Sequence, residues 1–345
     1  MKISVEKRVF HFKQPAGTSR GIYTTRTSWM VHVTDAAHAG REGVGECAPL
    51  PRLSCDDIPD YEEVLNSVCG MVERSGKIPY DVLRPYPSML FGLETALLNL
   101  RGGHILFDTP FARGEEGITI NGLVWMGSYD EMLGRIEEKL NQGFGCVKLK
   151  IGAIDFENEL ALIKGIRQRF GASDIQLRVD ANGAFSPGEA MDRLCRLAEY
   201  DIHSIEQPIR QRQWKEMAWL CRESPIPIAL DEELIGMNIP EAKRQMLDTI
   251  RPQFIILKPS LHGGMQGCEQ WIEMAQERGI GSWVTSALES NVGLNAIAQF
   301  TAHVYGRNLK MPQGLGTGLL FTDNMESDLY IKNDELWLNP LRYDA

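Results

Sequence analysis

The chain has 345 residues, an ordinary hydrophobic content of 43% and a formal net charge of −10. That length fits one large α/β barrel with additions, or two domains, and the acidic balance disfavours nucleic acid or an anionic membrane as the main partner. No run of about 18 apolar residues marks a transmembrane helix, and seven scattered cysteines without a C-x-x-C pair argue for reduced thiols in a cytoplasmic protein, against a disulfide framework or zinc site.

In chain order, the opening segment MKISVEKRVFHFKQPAG alternates like a strand and lacks the apolar core of a signal peptide. Residues 3–12, 26–34 and 43–49 read as strands, and 57–75 and 88–101 as helices. Between the first two strands, QPAGTSRGIYTT (14–25) has the small residues of a lid loop, with Arg20 as a candidate substrate contact. LPRLSCDD (50–57) is the other candidate for lining a cavity.

From about Gly117 the pattern becomes regular. Apolar runs alternate with amphipathic helices: GITINGLVWMG, GCVKLKIG, IQLRVDANG, IHSIEQPI, IPIALDEEL, FIILKPS, GSWVTSALES and a short last run near NLKMPQGLG. Each unit spans roughly 22–32 residues, the size of one β/α repeat. Helix 155–171 is typical: Asp155 as N-cap, Phe156, Leu160, Ile163 and Phe170 at near-helical spacing, and Gly171 as a stop. Eight units argue for a closed (β/α)8-type barrel, and fewer independent strands would leave an open sheet. The expected division is an α+β capping domain (1–112), the barrel (113–319), and a tail (320–345) that forms a hairpin around KND and returns to the cap.

In such a barrel, catalytic groups project from the C-terminal ends of the strands. There the sequence places Lys148 and Lys150 on one strand face, then Asp180 with Asn182, Glu206, Asp231 and Lys258. Asp180, Glu206 and Asp231 come from three successive strands and point at one spot. Three carboxylates so close raise one another's pKa, and a hard divalent cation removes the conflict. Mg²⁺ suits oxygen ligands and leaves positions for a substrate's own oxygens, and Mn²⁺ is the alternative. Lysines on either side suit removal of a proton next to a small-molecule carboxylate, with the cation stabilising the extra negative charge. The base must be a neutral lysine near physiological pH, which a neighbouring like charge and a nearby metal both favour. Of Glu232 and Glu233, one reads as a partner of the site and one as a solvated charge. Ser286, Glu289 and Ser290 precede a helix beginning near Asn291, whose free N–H groups suit a carboxylate, although Ser290 serves equally as an N-cap.

K-x-K, D-x-N, E-Q-P, D-E and K-P in this order resemble the muconate-lactonising branch of the enolase superfamily, over roughly residues 118–318. Lysine bases beside Mg²⁺ are that superfamily's established pattern. Within the branch, GECAPLPRLS (45–54), SALESNVGL (286–294) and GLGTGLLF (314–321) resemble the dehydratases of menaquinone synthesis. The resemblance implies syn elimination of water from a hydroxylated cyclohexadiene carboxylate bearing a succinyl chain. It assigns Lys150 as the base that takes the α-proton and returns a proton to the leaving hydroxyl. Lys258 is then the cation opposite and Lys148 the tuning or substrate-binding neighbour; Arg20, read from its loop, either pairs with a succinyl carboxylate or stands solvated, the second being favoured.

Two rival readings remain. An epimerase of dipeptides or a racemase of N-acylamino acids would use both lysines as bases. The branch's dipeptide epimerases carry acids near the eighth strand, where this chain reads MPQGLGTG, without acids. A non-catalytic binding protein is disfavoured by the intact set of ionisable residues. The sequence is compatible with a homo-oligomer and does not specify one.

Overall fold

The structure, a computed structural model, describes residues 1–18, 21–125 and 129–339. It opens with a three-stranded antiparallel sheet of β1 (Lys2–Thr18), β2 (Gly21–Thr34) and β3 (Gly43–Cys47). The strands run into most of the stretch expected to be a lid loop. Their register shifts between His11 and Ala16, and this irregularity accommodates Pro15, which has no N–H to give to a ladder. Arg20 lies outside the described residues.

Helices α1 (Tyr61–Ser75), α2 (Tyr80–Leu83) and α3 (Pro87–Gly102) cover this sheet. Tyr61, Leu65, Val68 and Val72 give α1 one buried stripe at helical spacing, and the left-handed Gly76 ends it by donating to Val72 O. The apolar faces meet in a core of Val31, Val33, Leu65, Val72, Leu93 and Leu97.

The glycines of G-V-G-E have a packing reason. A Cβ on Gly45 would stand 1.9 Å from Gly92 O, and one on Gly92 would stand 2.3 Å from Cys47 Sγ. Helix and strand backbones thus touch where side chains would ordinarily separate them. We expect Gly45→Ala to destabilise the protein by about 1–3 kcal/mol, toward the upper end because the obstacle is backbone. Urea unfolding would read this as a lower midpoint at unchanged slope, and an unaltered midpoint would show that the helix can retreat freely.

The chain then enters β4 (Ile118–Thr119) and a parallel sheet of β5 (Gly122–Val124), β6 (Cys146–Lys150), β7 (Gln176–Asp180), β8 (Ile202–Glu206), β9 (Ile228–Leu230), β10 (Phe254–Leu257) and β11 (Gly281–Val284). These seven strands lie in sequence order across the sheet. Between them run α4 (Tyr129–Asn141), α5 (Phe156–Arg169), α6 (Pro187–Ala198), α7 (Trp214–Glu223), α8 (Pro240–Ile250) and α9 (Gly264–Gln276). α10 (Asn291–Tyr305) follows β11. The caps are local: Asp155 accepts from Glu157 N, and Ser186 with Glu189 forms a reciprocal capping box.

The eighth run is too short for a strand, yet it closes the ring. Gln313 bridges Ile120 and Gly314 bridges Thr285, both in parallel sense. Asn121 N donates to Gln313 O (2.9 Å) and Gly314 N to Val284 O (2.9 Å). Pro312 offers no N–H to a longer ladder. Strand residues such as Val147, Leu149, Leu177 and Val179 are fully buried in one large apolar core with the surrounding helices. In the tail, β12 (Leu329–Lys332) and β13 (Glu335–Leu338) form the expected hairpin. β13 pairs with β4, while Phe321 packs on Phe10 and Phe12 of the N-terminal sheet.

Candidate active site

Strand alternation turns Lys148 and Lys150 to the interior and Val147 and Leu149 to the helices. In register, Lys150 lies beside Asp180, and Asp180 beside Glu206. Asp231 follows β9 directly and Lys258 follows β10. The two outer lysine positions therefore flank three successive acidic ones across the sheet.

Lys148 Nζ donates to Asp180 Oδ2 (3.1 Å) and Glu206 Oε2 (2.8 Å). Lys150 Nζ donates to Asp180 Oδ2 (2.5 Å) and Asn182 Oδ1 (2.8 Å), and Lys258 Nζ donates to Asp231 Oδ2. Asn182 adopts a left-handed φ of 45°, which asparagine tolerates, and its Nδ2 reaches Glu232 Oε1 at 2.9 Å.

Burial works against the charge of Lys148, but Glu206 and Asp180 outweigh it and raise its pKa. For Lys258, burial is likewise outweighed, first by Asp231. Burial would raise Asp180, yet Lys150 and Lys148 hold it low, and Lys258 does the same for Asp231. Glu206 goes the other way, lifted by burial and then by the charge of Asp180. Glu232 is pushed up to about 7 by burial and by Asp231. Four carboxylates share this interior, and the lysines neutralise only some of them.

In this cluster the carboxylate oxygens Glu206 Oε1, Asp231 Oδ1 and Glu232 Oε2 are buried and have no hydrogen-bond partner among the described residues. Among the described residues, no three His, Cys, Asp or Glu side chains are already drawn together to hold a metal ion. Ammonium groups take that place. The orphaned oxygens and the two raised acids are nonetheless a donor set that fits a hard divalent cation.

A cavity of about 90 Å³ opens above this cluster. Lys148, Lys150, Asn182, Glu232 and Lys258 line it below, and Leu50, Leu53, Trp125, Ser286, Ala287 and Leu288 line it above. A wider groove of about 680 Å³ lies between Arg41, Asn99, Asn291 and Asp328. None of the strand-end lysines reaches it, so the chemistry assigns the smaller cavity.

Of the expected substrate contacts, Ser286 lines the cavity and bonds Thr317 Oγ1 at 2.6 Å. Glu289 and Ser290 are fully buried and do not line it. Glu289 accepts from Ser260 Oγ and Ala287 N, and Ser290 Oγ donates to Glu46. The N–H groups at the start of α10 are taken by the protein itself: Glu46 accepts from Ser290 N and Gly293 N at 3.0 Å each, Asn324 Oδ1 from Asn291 N and Ser290 Oγ from Val292 N. The expectation that one of Glu232 and Glu233 is solvated is also corrected. Both are buried, and Glu233 accepts from Trp214 Nε1 and Arg212 N at 2.8 Å each.

Sequence reasoning missed Gln207 and His262. The Gln207 side-chain oxygen Oε1 accepts from Asp231 N and Glu233 N, which fixes the turn that aims Asp231. His262 Nδ1 accepts from Lys258 N at 3.0 Å. The Gln of E-Q-P was a usable signal for the first, whereas nothing local pointed to the second.

A barrel with paired lysines and acids at its strand ends, under a separate antiparallel sheet, defines a class of enzyme. Residues 131–334 match the family model described as enolase C-terminal domain-like. The chain belongs to the enolase superfamily. It is 47% identical to the o-succinylbenzoate synthase of Desulfotalea psychrophila, across 96% of this chain and 97% of that one. The crystal structure of MenC from D. psychrophila LSv54 superposes with a TM-score of 0.83 at 43% identity, covering 98% of this chain and 99% of that one. The L-Ala-D/L-Glu epimerase of Bacillus subtilis is 31% identical over 52% of this chain and 48% of its own.

Proposed function

We propose that this protein is an o-succinylbenzoate synthase: a carbon–oxygen lyase that dehydrates 2-succinyl-6-hydroxy-2,4-cyclohexadiene-1-carboxylate to 2-succinylbenzoate in menaquinone biosynthesis. One observation carries the reading. Lysines from β6 and beyond β10 face a single cavity across three buried acids, in a chain 47% identical over nearly its full length to a synthase of that name.

The roles follow from position. Lys150 takes the proton next to the substrate carboxylate, and its ammonium then protonates the departing hydroxyl on the same face. Lys258, kept cationic by Asp231, stabilises the negative charge from the other side. Lys148, also held cationic, is the like charge two residues from the base. Asn182 orients Lys150. Enzymes of this superfamily typically depend on a divalent metal. We assign Mg²⁺, with Mn²⁺ as a substitute, to Asp180, Glu206 and Asp231, with Glu232 beside them. When bound there, the ion supplies Lewis-acid stabilisation of the developing carboxylate charge. The wall of Leu50, Leu53, Trp125 and Ser286–Leu288 takes the succinyl arm.

In this reading residues 1–112 form the cap and 113–319 the catalytic barrel, and the tail from 320 returns to the cap where Phe321 packs at a tilt on Phe12, before its hairpin pairs with β4. Among the described residues, no helix is long and apolar enough to cross a membrane. With every cysteine free, we place the enzyme in the cytoplasm.

Chelation should abolish turnover and leave the fold intact, because lysine–carboxylate bonds already offset much of the charge without metal. Removing an ion present at about 100 times its Kd forfeits only about 2.7 kcal/mol. Activity with and without chelator, alongside a thermal melt, checks this. Full activity in chelator, or global unfolding, would count against it.

The rival with a specific observation behind it is N-acylamino acid racemisation, since both flanking lysines reach one cavity. Residues 311–318 carry no acid to pair with a dipeptide's ammonium, so the epimerase reading is weaker.

A further inference from the structure

Two charged side chains of the N-terminal sheet are buried against the barrel, away from the lysine–carboxylate cluster. Arg26 on β2 is 1% exposed. Its guanidinium donates to four main-chain carbonyls: Ala48 (2.6 Å), Pro49, Leu288 (3.3 Å) and Ala287 (3.4 Å). The first two lead into Leu50 and Leu53, and the last two belong to the loop after β11. Both segments line the cavity. The five donors of a rigid guanidinium suit this task, and a lysine could not satisfy all four acceptors.

Glu46, on the neighbouring strand β3, holds the other end of the same loop. It accepts from Ser290 Oγ (2.6 Å), Ser290 N and Gly293 N (3.0 Å each), and from Ser28 Oγ on β2 (2.7 Å). A Cβ on Gly293 would stand 2.9 Å from Glu46 Oε2, so the glycine permits this approach. Between the two anchors, Leu288 has a left-handed φ of 65°, uncommon for a bulky residue. Such a conformation persists only where its surroundings impose it, and Arg26 bonds the carbonyl of that residue.

We propose that Arg26 and Glu46 are positioning residues that set the width of the substrate cavity. They clamp loop 286–290 of the barrel onto segment 48–53 of the cap. The capping strands thereby act on selectivity through two side chains that never touch substrate. The proposal rests on the function above, because the wall it fixes is the one assigned to the succinyl arm rather than to the reacting carboxylate.

Steady-state kinetics of Arg26→Met, Arg26→Lys and Glu46→Gln with the cyclohexadiene substrate test it, together with calorimetric Mg²⁺ affinity. Arg26→Met should raise KM roughly tenfold while kcat stays within about twofold, the signature of lost ground-state positioning. Arg26→Lys should show a smaller rise in KM, and Mg²⁺ affinity should not move in any variant. Glu46→Gln, nearly isosteric, should shift KM in the same direction and serves where Arg26→Met does not fold. Unchanged KM in the folded variants, or kcat losses that track the folded fraction, would overturn the clamp. Wild-type protein without turnover would instead overturn the function. In that event, amide exchange judges the clamp: residues 286–290 must lose protection in Arg26→Lys while β6 to β8 keep theirs, and equal protection overturns it.

Discussion

Lys150→Ala is expected to lower kcat for dehydration by at least about 10³-fold, within the range a positioned general base contributes. The fold should survive. Asp180 loses the Lys150 bond but keeps Lys148 at 3.1 Å, and its Oδ1 still accepts from Asn182 N at 3.0 Å. The buried carboxylate is therefore left with partners, which spares it much of the penalty of an isolated charge. Near-UV circular dichroism and a thermal melt would establish folding, and single-turnover kinetics would read the chemical step. Small primary amines added in solution should restore part of the rate by occupying the vacated space. Undiminished kcat would reject Lys150 as the base and move attention to Lys148 or Lys258.

Asp231→Asn is expected to weaken Mg²⁺ binding by about 100-fold or more and to lower turnover with it. Even outer partners of metal ligands are worth 10–100-fold, so a direct ligand should exceed their lower end. Asp231 has one oxygen bonded to Lys258 and the other without a partner. The amide can replace an acceptor but not the charge. Lys258 would then lose the largest influence that keeps it protonated against burial. Metal affinity and kcat should thus fall together, and added Mg²⁺ should recover only part of the rate. Titration calorimetry separates the two effects. Unchanged Mg²⁺ affinity would remove Asp231 from the ligand set.

Much of the acidic and basic cluster was legible in the sequence because it obeys a short-range rule. Alternation along a strand decides which face a side chain takes, and successive strands of a parallel barrel present their ends together. Lys148, Lys150, Asp180, Glu206 and Asp231 all follow from that geometry. What stayed hidden depends on contacts between distant segments. Glu289 and Ser290 read as substrate contacts because nothing local reveals that Glu46, some 244 residues earlier, fills the start of α10. One of Glu232 and Glu233 reads as solvated because nothing local shows that Trp214 and Arg212 arrive from a distant segment to bond Glu233. The last barrel element was faint because its closure rests on isolated bridges at Gln313 and Gly314, not on a ladder. The stretch 14–25 looked like a loop because Pro15 and two glycines mask strands that the hairpin partner stabilises.

The most direct measurement is a side-by-side assay of the purified protein with Mg²⁺, offering the cyclohexadiene carboxylate and a panel of N-acylamino acids and dipeptides. The diene should be converted to 2-succinylbenzoate with a kcat/KM of at least about 10⁴ M⁻¹s⁻¹, in the ordinary range for a native substrate. Racemisation of the others should be far slower. No conversion of the diene, with efficient racemisation of an acylated amino acid, would contradict it.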